Sequence, residues 1–157
     1  MQPQLNVFAL LVLLAGGVRV LAEDRGGWDT DQGVVVRIGN YAGVEARSLT
    51  DAVRVAQSVL GQAGVQTHWR DCTAVDGYFP CADGAASRAV LAVKLFGRGQ
   101  TRVLAPSPDA LGVALLPRQE GEGLVAMVFV EEVKVQAWRA NVPRPVVLGH
   151  TMAHEVG

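Results

Sequence analysis

The strongest constraint on the fold is an alternation of periods early in the chain, where a β-branched run gives way to a segment of helical period and then to a second short strand-like run. Val34-Val35-Val36-Arg37-Ile38 reads as a strand closed by the turn residues Gly39-Asn40. Ser48-Leu49-Thr50-Asp51 has the S-x-x-D form of a capping box. Leu49, Ala52, Val53, Ala56, Val59, Leu60 and Ala63 then recur at the spacing of one helix face, with Asp51, Arg54, Gln57 and Gln62 largely opposite. Gly64 is placed to stop that helix, and Val65 to Arg70 supplies the next strand. Strand, helix and strand in this order favour parallel pairing through a right-handed crossover.

Downstream, Ala89 to Phe96 is apolar almost throughout, which suits a central strand covered on both faces. Gly97 to Asp109, with Pro106 and Pro108, is expected to be a loop. Gly97-Arg98-Gly99 carries two glycines of a dinucleotide-binding turn, but the third is missing and no helix is expected to open there, so that function is set aside. Gly112 to Leu116, ended by Pro117, reads as a short strand, and Leu124 to Val130 as a strong one. Glu131 to Ala140 is helix-like or irregular, with Val133, Ala137 and Trp138 expected to pack and Glu131, Glu132 and Lys134 to face solvent. Pro143 and Pro145 introduce a final helix, where a proline in the first turn forfeits no hydrogen bond. Half of the 157 residues are hydrophobic and 18% are charged, enough to bury one core in one α/β domain over residues 34–157. A formal charge of −1 with no run of lysines or arginines argues against nucleic acid and anionic membrane surfaces as partners.

The first residues point to export. Leu5 to Val18 is almost wholly apolar, and Val20-Leu21-Ala22 offers the small or modest side chains that a signal peptidase reads before the polar Glu23-Asp24-Arg25. A signal peptide over 1–22, cleaved after Ala22, followed by a flexible segment over 23–33, is the expected organisation; an uncleaved anchor is the alternative, because Met1 to Gln4 adds no basic side chain. A secreted or periplasmic protein with no membrane attachment after cleavage follows. Cys72 and Cys81 flank a Gly-Tyr-Phe-Pro turn, and in an exported chain a disulfide is expected over a metal pair, since C-x-x-C spacing is absent and no third ligand lies nearby. Two free thiols in a cytoplasmic chain remain the alternative.

The final residues carry the chemistry. Ala153-His154-Glu155-Val156-Gly157 contains the first four positions of H-E-x-x-H, in which histidines at i and i+4 share a helix face and grip zinc while the glutamate acts as general base. His150 stands one turn before His154 and could form a pair with it, but H-x-x-x-H-E matches neither H-E-x-x-H nor the inverse H-x-x-E-H. His150 is read as a possible cleft residue, and His68, alone on its strand, as structural.

On this motif and the order of elements before it, roughly Val34 to Gly157 resembles the N-terminal subdomain of the zincin metallopeptidases, in particular the metzincin-like branch. The resemblance implies an α+β architecture: a twisted, mostly parallel sheet with one antiparallel edge strand and two main helices, the last carrying the zinc motif. It implies that His154 is the first zinc ligand and that Glu155 takes a proton from the zinc-bound water. Gly112, Val113 and Ala114 would belong to the edge strand that holds an extended peptide or protein substrate by backbone pairing. The second histidine, the third ligand and the methionine turn of the family would lie beyond Gly157, so the expectation is a fragment of a longer secreted zinc metallopeptidase, inactive as it stands. The competing reading is a secreted noncatalytic domain that binds peptides along the same sheet edge; a structural exported domain with a coincidental His-Glu pair is the third.

Overall fold

A computed structural model describes residues 33–73, 81, 91–104, 107, 109–115 and 123–157. The expected signal peptide, most of the segment after it, and the turn between the two cysteines lie outside the described residues. The strands are β1 (Val34–Asn40), β2 (Thr67–Asp71), β3 (Leu91–Phe96), β4 (Gly112–Leu115) and β5 (Val125–Phe129). The helices are α1 (Ala46–Gln62), α2 (Arg98–Leu104), α3 (Val130–Ala140) and α4 (Arg144–Val156).

The strands form one sheet in the order β2-β1-β3-β5-β4, in which β4 alone runs antiparallel and occupies an edge. The α/β class with a mostly parallel sheet and an antiparallel edge strand is therefore present. Period-two alternation gives the sheet its inner face: Val36 and Ile38 of β1, Val93 and Leu95 of β3, and Ala126 and Val128 of β5 are all buried. Register aligns them, with Val93 beside both Ile38 and Ala126, and Leu95 beside Val128. Leu49, Ala52, Ala56 and Leu60 of α1, and Leu148, Met152 and Ala153 of α4, join them in one core.

Several boundaries differ from expectation for identifiable reasons. Helix α1 begins at Ala46, ahead of the expected capping box, and its N-cap Glu45 makes no side-chain capping bond. The entry is set instead by Asn40, whose side-chain amide donates to Val44 O at 2.7 Å while its Oδ1 accepts from Val44 N–H at 2.9 Å. Asp51 pairs with Arg54 at 2.8 Å rather than capping. Gly64 does stop α1: at φ +82° it takes the left-handed conformation, while Val65 N–H bonds to Leu60 O and Gly64 N–H to Gly61 O in a Schellman arrangement. The expected loop from Gly97 opens as helix α2, with Thr101 donating from both its N–H and its hydroxyl to Gly97 O. A helix does open at Arg98, then, and only the missing third glycine still excludes the dinucleotide turn.

Glu131 to Ala140 lies within a regular helix, α3, of which Val130, Val133 and Ala137 are buried. Trp138, expected to pack, is 83% exposed because it stands one residue, about 100° of helical turn, beyond that stripe. Asn141 closes α3 in the left-handed conformation at φ 53°, and Val142 N–H bonds to Ala137 O. This tight corner delivers the chain into α4, where Pro145 sits in the first turn. The disulfide between Cys72 and Cys81 is formed, with Cα atoms 5.3 Å apart.

Candidate active site

Helix α4 divides into faces that follow directly from its spacing. Leu148 and Met152, joined by Gly149 and Ala153, are buried. Gly149 is where α4 meets α1 backbone to backbone, since a Cβ there would lie 2.5 Å from Ala52 O and 2.6 Å from Val55 Cβ. Six of the remaining positions fall into two rows at i, i+4, i+8: Val146, His150 and His154 in one, and Val147, Thr151 and Glu155 in the other. Both rows line a groove of about 690 Å³, whose opposite walls come from Leu111 and Gly112 at the start of β4 and from Gln136, Ala140 and Val142 at and just after the end of α3.

Within the groove the chemistry is graded. Val142, Val146, Val147 and Leu111 give apolar walls, and the exposed His150 and His154 give imidazoles. Glu155 is half-buried, and its burial holds its carboxyl above the ordinary range, opposed by the nearby His154. A carboxylate raised in this way is a stronger base than a solvated one. Thr151 is buried, with its hydroxyl donating back to Val147 O at 2.9 Å, and so contributes shape rather than a free donor.

Gly112 and Glu155 meet across this groove. A Cβ on Gly112 would stand 2.8 Å from Glu155 Cγ and 2.9 Å from its Cδ, with Met127 O at 2.8 Å on the other side. Only glycine leaves room for the glutamate stem against the backbone of β4. Gly112, Val113 and Ala114 pair with Val128, Met127 and Ala126 of β5, and Phe129 N–H extends the ladder to Leu111 O at 2.8 Å. The far side of β4 is the sheet edge and has no strand partner among the described residues.

The structure thus brings together His150, His154, Glu155 and the start of the edge strand, while His68 sits apart on the opposite edge strand β2. No three histidine, cysteine, aspartate or glutamate side chains converge in a metal-holding group among the described residues. Cys72 and Cys81 are committed to their disulfide. The groove walls Leu111, Val142, Val146 and Val147 were not anticipated as site residues, although the i, i+4 rows through Val146 and Val147 contained the necessary signal. Comparison with protein-family models, with curated proteins and with solved structures gave no match.

Proposed function

We propose that this chain is the sheet-and-helix part of an exported zinc metallopeptidase, with His154 as the first metal ligand, Glu155 as general base and β4 as the strand that holds an extended peptide. The single observation carrying this reading is the contact between Glu155 and Gly112, which sets the motif glutamate directly beside the edge strand. A peptide added to that edge would run past the mouth of the groove with its carbonyls near the carboxylate. The disulfide accords with an oxidising compartment, as export requires.

A catalytic zinc takes three protein ligands, and the described residues do not bring three together. His154 suits one position, since its imidazole is exposed to the groove. The reading therefore needs further ligands from outside the described residues. Zinc, when bound, supplies an acidified water with a pKa of about 7. The chain's own contribution is to hold the imidazole on a core-packed helix and to keep Glu155 partly desolvated, so that it can accept a proton.

The test uses the full-length gene product. It should carry close to one zinc per chain and cleave an unstructured protein substrate, and Glu155→Ala should lower kcat at least about a hundredfold while retaining the metal. Cleavage that survives chelation or Glu155→Ala overturns the assignment. The edge of β4, without a strand partner among the described residues, also favours a second reading, a noncatalytic peptide-binding domain. That reading predicts peptide affinity indifferent to chelator and to Glu155→Ala.

A further inference from the structure

We propose that His150 and His154 together form a two-histidine chelate for a divalent transition metal, built within one turn of α4 and complete without any residue after Gly157. The two imidazoles stand at i and i+4, the separation at which the histidines of H-E-x-x-H share a metal, but the pair lies upstream of the glutamate rather than astride it. Cβ atoms so spaced on a helix are about 5–6 Å apart, within reach of a common ion at zinc–nitrogen distances of about 2.0–2.1 Å. Both side chains are exposed and line the same groove.

Two features of the fold favour the ion. Helix α4 is fixed by burial of Leu148, Gly149, Met152 and Ala153, so the backbone carrying both ligands is ordered before metal arrives. His154 lies in the last turn of α4, where the exposed carbonyl end of the helix attracts positive charge. Imidazole ligands select zinc, nickel and copper over magnesium and calcium, and water completes the coordination. The site does not rest on the peptidase reading, but it shares His154 with it, so one imidazole cannot serve both metals through the same nitrogen.

The experiment titrates the 157-residue chain with Zn²⁺ and with Ni²⁺ by calorimetry, with Mg²⁺ as a control. Saturable binding of one ion per chain is expected. His150→Ala and His154→Ala should each weaken it at least about tenfold, the floor already set by loss of a group that merely orients a ligand. His68→Ala, on the opposite edge of the sheet, should leave the affinity unchanged. The ring resonances of His150 and His154 should shift together in a histidine-selective NMR spectrum recorded on the unsubstituted chain, a readout independent of how the variants fold. Absence of saturable binding, or affinity unaffected by His150→Ala, overturns the proposal. A zinc site in the full-length protein that needs His154 and Glu155-side residues but not His150 would do so while leaving the peptidase reading in place.

Discussion

Glu131, at the start of α3, shows how single side chains here are tuned by their neighbours. Lys134 donates to it at 2.7 Å and Arg98 lies 3.9 Å away, so the carboxyl is held below its ordinary range by the Lys134 hydrogen bond first, against some desolvation, and then by the charges of Lys134, Arg98 and Arg144. A carboxylate depressed in the folded state contributes stability above the unfolded pKa and loses it as pH falls through the folded one. Because the pair is partly exposed, its contribution is about 0.5 kcal/mol. Lys134→Met should therefore lower stability slightly near neutrality and flatten its decline in acid, as measured by urea unfolding across the carboxylate range. Of the candidate site, His154 and Glu155 were legible as residues because their chemistry is local. The Glu155–Gly112 contact was not, since nothing in the spacing of two distant segments reports that they touch.

Among the elements, α4 and α1 depend on one another through Gly149. Alanine there has the better helix propensity by about 1 kcal/mol. Its Cβ, however, would meet Ala52 O at 2.5 Å and Val55 Cβ at 2.6 Å, and a backbone oxygen cannot rotate away. Overpacking of this kind costs about 1–3 kcal/mol, or more where nothing yields, so Gly149→Ala should be net destabilising by a fall in the denaturant midpoint at unchanged m-value. The amphipathic face of α1 and the strong strands β3 and β5 were readable from period alone. Element α2 was not: Gly97, Gly99 and the following prolines carry loop chemistry, and tertiary placement after β3 overrides that propensity. The start of α1 was misplaced because Asn40, not a capping side chain, sets it.

Across the whole molecule, sheet order was the least legible property. A strand-helix-strand beginning implied parallel β1 and β2, but β3 pairs with β1 rather than β2, and β5 lies between β3 and β4. Those choices are made by core matching between segments remote in sequence. The disulfide ties the end of β2 to Cys81 in the segment leading to β3, and Cys72 N–H continues the ladder to Ile38 O at 2.7 Å. Closing a loop this short should contribute about 2–3 kcal/mol in the chain-entropy model. Reduction, or Cys72→Ser with Cys81→Ser, should lower the unfolding free energy by that amount, read from denaturant curves with and without reductant. The burial of α4 has a further consequence. A helix whose inner side is the core of the domain has no cheap route to partial release, so its amide protons should exchange only through openings that also breach the sheet. The groove-facing histidines and glutamate consequently keep their spacing for as long as the domain itself survives.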